Sequence, residues 1–280
     1  MAEKIALINM KGGVGKSTLT VNLAWHFARV HPWDKKVLVV DNDPQFNASQ
    51  YLLGASRYQS EVVAKNAPTV WDVYEQGTRV PGITTKPRDV TQAIRRIVEF
   101  PDGSLIDLLP SQLELNYTLK NPSQKEHRLR DFLKEREKNY DLIIIDCAPT
   151  ESVLTTATYL ASDKILVPVK PEYLSTIGLP LLVQSMNEFR ESYGKTLELV
   201  GVIFNGCSDY SPEETKSKEE VRGVASKFGW FVFDQEVPYS RSFPKGAREG
   251  QPIFRTSYSR GSVCRQVNQF AQTFAKRIGL

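Results

Sequence analysis

Cysteine is scarce and irregularly placed. Cys147, Cys207 and Cys264 are an odd, widely spaced set without a metal-binding pattern, so a disulfide framework is not expected and free thiols in a reducing compartment are. No apolar run of about 18 residues and no signal peptide is present, which points to a soluble, cytoplasmic protein. Internal repeats and low-complexity linkers are missing as well. The 280 residues are therefore expected to form a single domain, 1–280, with one large core. Net charge is also low, since 36 Lys+Arg stand against 32 Asp+Glu for a formal +4.

What the chain does have is a set of short polar motifs, each following an apolar run. Ile5-Ala6-Leu7-Ile8 leads into Lys11-Gly12-Gly13-Val14-Gly15-Lys16-Ser17-Thr18, and a strand, a glycine-rich turn and a helix in that order bind the phosphates of a nucleotide. Gly12, Gly13 and Gly15 let backbone N–H groups converge on phosphate oxygens where a Cβ would obstruct them. Lys16 adds a charge at the β/γ-phosphates, and Ser17 offers its hydroxyl to Mg²⁺. The helix that opens here, with Leu19, Val21, Leu23 and Ala24 on its early turns, aims its positive end at the anion. Position 10, where the usual spacing has glycine, is Met10, and Lys11 is a second loop lysine. Two lysines around one phosphate chain suggest that one is not needed within its own subunit.

Two further strands end in acids. Lys36-Val37-Leu38-Val39-Val40 runs into Asp41-Asn42-Asp43-Pro44-Gln45, and Tyr140-Asp141-Leu142-Ile143-Ile144-Ile145 runs into Asp146. Carboxylates there sit at the carboxyl edge of a parallel sheet, where α/β ligands bind. Asp146 reads as a Walker B acid holding Mg²⁺, usually through water. Any one of these aspartates alone is as readily a loop cap, but three motifs in order are not. Strands alternating with helical segments give the fold class: an α/β single P-loop domain, a mostly parallel twisted β-sheet flanked by helices. Residues 55–104, rich in charged and turn residues, read as an elaboration between switch loop and sheet.

Together these motifs resemble the deviant Walker A ATPases of the ParA/MinD family, closest to the short ParA/Soj-type partition ATPases. The resemblance implies ATP and Mg²⁺ as cofactors and ATP hydrolysis with weak basal turnover. It implies that Lys11 is the signature lysine reaching across an ATP-dependent homodimer to the partner's phosphates. It makes Asp43 the residue that positions and polarises the attacking water, with Asp41 supporting metal and loop geometry, so that Ser17, Asp41 and Asp146 form the metal set and Lys11, Lys16 and Asp43 the catalytic one. Weaker matches continue downstream. Asp146-Cys147-Ala148-Pro149-Thr150 departs slightly from the family's D-x-P-P-S. Leu166-Val167-Pro168-Val169-Lys170-Pro171-Glu172-Tyr173 is similar to its strand-to-loop segment, and Asn205, ending Val200 to Phe204, falls where the adenine-reading Asn lies. Val237-Pro238-Tyr239-Ser240-Arg241 and Gly250-Gln251-Pro252-Ile253 resemble its late stretch, in which Pro238 would pack beside the base. With a first strand beginning near Lys4, no N-terminal helix-turn-helix is expected.

Charge points to the partner. Residues 211–280 hold twelve Lys/Arg against seven Asp/Glu, and Arg241, Lys245, Arg248, Arg255 and Arg260 lie in loop-like sequence with Ser, Gly and Pro. On a bare globular domain this would be a solvated basic face. Attached to a ParA-like ATPase it is read as a surface for nonspecific double-stranded DNA. The resemblance adds a ParB-like or other cargo adaptor as partner and a nucleoid-associated location. Val263, Val267, Phe270, Phe274 and Ile278, at helical spacing within 263–280, give an amphipathic helix. It is expected to close the sheet, the alternative being the membrane anchor of a MinD/FlhG-like positioning ATPase. A nitrogenase-iron-protein relative would need cluster thiolates, and only Cys147 lies near the motifs. A bacterial tyrosine kinase would need a tyrosine-rich tail, and this sequence has no tyrosine after Tyr258.

Overall fold

The computed structural model describes residues 1–30, 32–75, 88–122, 124–172, 175–208 and 211–280. Among them eight strands make one sheet: β1 (Glu3–Leu7), β2 (Lys36–Asn42), β3 (Arg95–Glu99), β4 (Leu105–Leu109), β5 (Leu142–Cys147), β6 (Lys164–Val169), β7 (Glu198–Cys207) and β8 (Val232–Pro238). Their order is β3-β4-β2-β5-β1-β6-β7-β8, and all neighbours run parallel except β3 against β4. The helices are α1 (Lys16–Arg29), α2 (Asn47–Tyr58), α3 (Val70–Tyr74), α4 (Asn116–Lys120), α5 (Arg128–Lys134), α6 (Val153–Ala161), α7 (Ser175–Tyr193), α8 (Pro212–Lys227), α9 (Ser242–Glu249) and α10 (Gly261–Ile278).

The unbroken apolar runs of β1, β2 and β5 are explained by helices on both faces of the sheet. Successive residues alternate between two cores. Ile5, Leu7, Val37, Val39, Leu142 and Ile144 face α1, α2 and α10, while Ala6, Ile8, Leu38, Val40, Ile143 and Ile145 face α3, α5, α6, α7 and α8. The apolar stripe of α10 is covered by the chain's own sheet: Val263, Val267, Phe270, Phe274 and Ile278 are all buried, with Phe270 edge-on to Phe233 of β8 at 5.0 Å. This is the closing-helix arrangement, and it leaves no apolar face of α10 for a lipid surface.

Two sequence expectations need correction. Residues 55–104 do not all lie between switch and sheet. Arg95–Glu99 join it as the antiparallel edge strand β3, and Val70–Tyr74 form α3, opened by a reciprocal Thr69–Asp72 capping box. Residues 76–87 of that segment, and Tyr173 of the strand-to-loop motif, lie outside the described residues. The basic residues after Pro238 are not in a loop either. Arg241 is the N-cap of α9, Lys245 and Arg248 lie on that helix, and Arg260 is the N-cap of α10. Ser, Pro and Gly at 242, 244 and 246 disguise α9 in the sequence, because none of the three is a good helix former in isolation.

Topology places the motifs that end strands at one edge. β1 is central, so its carboxyl end opens between those of β5 and β6. Asp41 of β2 is in register with Asp146 of β5, and Asp146 with Leu7 of β1. The ends of β7 and β8 add Asn205 and Pro238 from the other side.

Candidate nucleotide-binding site

The loop after β1 folds back over the start of α1, and its glycines have different reasons to be glycine. Gly13 and Gly15 sit at φ 74° and 85°, left-handed conformations that cost other residues energy. Gly15 is also crowded, since a Cβ there would lie 2.1 Å from Asn205 Nδ2. At Gly12 a Cβ would meet only Pro149 Cγ at 3.9 Å, so protein packing does not require glycine there. Asn9, just before the loop, ties it down by donating from Nδ2 to the Pro168 carbonyl (2.7 Å) and accepting the Lys11 N–H on Oδ1 (2.8 Å).

A cavity of about 600 Å³ opens above this loop, lined by Gly12, Gly13, Gly15, Lys16, Ser17, Thr18 and Asp43, by Gln45, Asn47 and Gln50 beyond the switch, and by Pro149, Ala247 and Arg248. Its neighbour, about 320 Å³, shares Gly13, Gly15 and Thr18 and is lined by Val14, Asn205, Pro238, Tyr239, Phe243 and Pro244. One cavity is lined by the glycine-rich loop and a lysine; the other is mainly apolar, with Lys170, Asn205 and Ser240 also on its lining. Together they have the size and character of a site for a phosphate chain with an attached ring system.

Lys16 is buried, its Nζ donating to the carbonyls of Asn9 (3.2 Å) and Lys11 (3.3 Å). Burial lowers its pKa below the usual lysine range, and the nearby Asp146, Cys147 and Asp43 oppose that shift. Asp146 is fully buried, and neither carboxylate oxygen makes a hydrogen bond of good geometry with the described residues. Burial raises its pKa well above the carboxylate range; the charge of Asp41 adds to this, while the Ser17 hydroxyl and Lys16 work against it. A buried acid with both oxygens unpartnered is costly unless something else satisfies it. A hard divalent cation between Asp146 and the Ser17 hydroxyl fits that need, because oxygen donors of this kind suit Mg²⁺.

Asp41 differs. Its Oδ2 accepts from the Ser49 N–H (2.7 Å) and hydroxyl (2.7 Å), and its Oδ1 from the Asp43 N–H (3.3 Å). Burial pushes its pKa up to about 7 and the Ser49 bonds restrain the rise. From the end of β2, Asp41 thus caps the N-terminus of α2, whose own N-cap Phe46 supplies no side-chain bond. Ser111, after β4, completes the bracing: its N–H donates to Ser49 Oγ (2.9 Å) and its hydroxyl to the Asp43 carbonyl (2.8 Å). Asp43 itself lines the phosphate cavity and accepts the Gln45 N–H (2.9 Å). Ser49 and Ser111 are invisible to sequence reading because a serine carries no pattern until a fold brings it to an acid from another strand.

The two loop lysines part company. Lys16 lines the phosphate cavity; Lys11 is not among its lining residues and its Nζ pairs with Glu172 after β6 at 2.9 Å. Lys170 and Lys11 together hold Glu172 below the usual carboxylate range. Asn205, expected at the base, donates from its amide to the Val14 carbonyl (2.7 Å) while also lining the apolar cavity. Of the basic residues, Arg241 is exposed at the start of α9, Lys245 pairs with Glu249 (3.2 Å) and Arg255 lies over the Trp25 ring. Arg248 stands apart from these, on the wall of the phosphate cavity.

Comparison with known proteins agrees with this fold. A family described as AAA domain matches residues 2–199. The chromosome partitioning protein ParA of Caulobacter vibrioides is 30% identical over 256 residues, 89% of this chain and 85% of that protein. Among solved structures, a Cyanothece McdA–ATP complex superposes with a TM-score of 0.77 over 100% of this chain and 97% of that one at 18% identity. The cobyrinic acid a,c-diamide synthase of Mycobacterium smegmatis with bound ATP analogue and magnesium gives 0.69 over 97% and 93% at 22% identity. Likeness at that level of identity speaks for the fold alone, and the same fold plainly carries different chemistries.

Proposed function

Because the chain belongs to the ParA/MinD family of P-loop ATPases, we propose that it is a positioning ATPase. ATP closes a homodimer, the dimer binds DNA without sequence preference, and a ParB-like or other cargo adaptor stimulates hydrolysis and release, so that a plasmid, chromosome or protein assembly is partitioned. The observation that carries this reading is the division between the two loop lysines. A loop needing one lysine for its own phosphates has the other at the surface, on Glu172. In that position Lys11 is available to a partner's nucleotide once its ion pair with Glu172 opens. The surface pair costs little to break, since exposed pairs contribute about 0–1 kcal/mol.

The chain's own residues divide the work. Lys16 and the loop N–H groups hold the phosphate chain, and Asn205 fixes the loop while Pro238 flanks the ring. Mg²⁺ held by Ser17 and Asp146 would neutralise charge developing on the phosphates. Asp43, whose carbonyl is braced by Ser111, positions the attacking water. Asp41 acts on loop geometry through Ser49. A cytoplasmic, nucleoid-associated location follows from the proposed DNA contact.

The test is ATP-dependent binding to two unrelated duplexes across a salt series. Arg241 and one or two neighbours in each subunit would give about four to six phosphate contacts per dimer and a log–log slope of roughly −4 to −5 on both duplexes. Arg241→Ala should reduce that slope by about two. Tight binding without ATP, a strong preference for one duplex, or binding to anionic vesicles instead would each refute the reading.

A further inference from the structure

The position of Arg248 separates it from the basic residues around it in the sequence. At about 100° per residue, Phe243, Pro244 and Ala247 share one side of α9, and those three line the apolar cavity. Arg241 and Lys245 fall on the adjoining outer side. Arg248 lies at the boundary between the two, and with Ala247 it lines the same cavity as Gly12, Lys16 and Ser17. Its side chain is exposed and makes no hydrogen bond or ion pair with the described residues, whereas Lys245, one turn earlier, is paired with Glu249. The cavity lining thus includes an arginine with no partner among the described residues, in one cavity with a loop suited to hold phosphates. A planar fork of N–H donors is the side chain best matched to phosphate oxygens.

The third side of α9 is fixed to the switch helix. Gly246 lies so close to its neighbours that a Cβ there would stand 2.9 Å from the Tyr51 hydroxyl of α2 and 2.6 Å from the backbone carbonyl oxygen of Gln251. Tyr51 is in turn bonded to Asn22 of α1 (3.3 Å), whose Oδ1 accepts the Ile253 N–H (2.7 Å). A contact made by Arg248 is therefore made by a helix already seated against the nucleotide loop's own helix and the switch.

We infer that Arg248 is a ligand of the nucleotide's phosphate chain, supplied by α9, the helix that also presents Arg241, and that nucleotide bound through it protects that helix further. This rests on the reading of the two cavities as a nucleotide site. It moves Arg248 from the DNA surface to the nucleotide, and makes α9 the element that the two surfaces share.

The test uses the full chain without DNA. Equilibrium ATP titrations in Mg²⁺ compare wild type with Arg248→Gln, Arg248→Lys and, as a control for net charge, Lys216→Ala on α8. Arg248→Gln should weaken ATP binding about tenfold, as loss of a charge-assisted contact at a half-open cavity does. Arg248→Lys should recover part of that loss, and Lys216→Ala should match wild type. Hydrogen exchange of the α9 amides should slow on ATP binding in wild type and not in Arg248→Gln. Because Arg248 has no partner among the described residues, the variant should melt with the wild type, which separates a ligand effect from misfolding. Wild-type affinity in Arg248→Gln, an equal loss in Lys216→Ala, or unchanged α9 exchange in ATP-bound wild type would overturn the inference. Failure of the wild type itself to bind ATP would overturn the reading of the cavity instead.

Discussion

Gly15 and Asn205 form a pair whose coupling can be worked out from distances. Alanine at 15 brings a Cβ to 2.1 Å from Asn205 Nδ2, so the amide must turn away and give up its 2.7 Å bond to the Val14 carbonyl. Two costs follow: about 1 kcal/mol for a non-glycine residue in the left-handed region and about 2 kcal/mol for losing a buried hydrogen bond and leaving its acceptor unpaired. Gly15→Ala should therefore destabilise by about 3 kcal/mol, and Asn205→Ala, which loses only the bond, by about 2 kcal/mol. In the double variant the bond is lost once and the clash is gone. The sum should thus be about 3 rather than about 5 kcal/mol, a coupling of about −2 kcal/mol. Urea unfolding of the four proteins, compared at constant m-value, measures it. Additivity within about 0.5 kcal/mol would mean that Asn205 does not clamp the loop and that Gly15 is glycine only for its backbone angle.

Three more outcomes are expected. Lys16→Ala should abolish ATP binding while Asp43→Ala retains binding and loses phosphate release, so the two variants should differ in equilibrium titration; normal turnover by Asp43→Ala removes Asp43 from the mechanism. Asp146→Asn should leave the melting temperature of the nucleotide-free protein within roughly 2–3 °C of wild type, about 1 kcal/mol, and should abolish the rise on adding MgATP; a rise equal to the wild type's contradicts the reading of Asp146 as a metal ligand. His26, buried on α1 with Nδ1 3.1 Å from Asn268 Oδ1 of α10, has its pKa lowered by burial from 6.5 to about 4. The unfolded chain binds this proton first, so stability is full above about pH 6.5 and falls by up to about 3 kcal/mol as pH approaches about 4. His26→Gln should flatten that part of the stability profile, and an unchanged slope would show that other groups produce it.

The legible part of this protein is what strand ends and glycines encode. β1, β2 and β5 stand out because burial on both faces demands consecutive apolar residues, and the acids that end them stand out because so apolar a run leaves few reasons for a charge. The hidden part lies where meaning depends on a distant partner. Ser49 and Ser111 become a brace only when β2 and β4 pair. Arg248 reads as one more cation in a basic stretch until α9 places it in the lining of the phosphate cavity. β3 is hidden because an edge strand carrying Arg95, Arg96 and Glu99 has the composition of a surface segment, as edges that must not recruit other strands do.

The central position of β1 also has a consequence for how the molecule comes into being. Ile5 is flanked by Ile144 and Lys164, so β1 has no sheet partner until β5 has been made. The phosphate loop that hangs from it cannot be held in shape before then. Pairings of such long sequence separation slow the search for the native state. A nucleotide therefore cannot rescue early intermediates; it binds only a chain in which β5 and β6 have docked on β1, and stabilises the finished product by mass action. Truncations anywhere before β6 should give proteins that are blind to ATP although every residue of the loop is present.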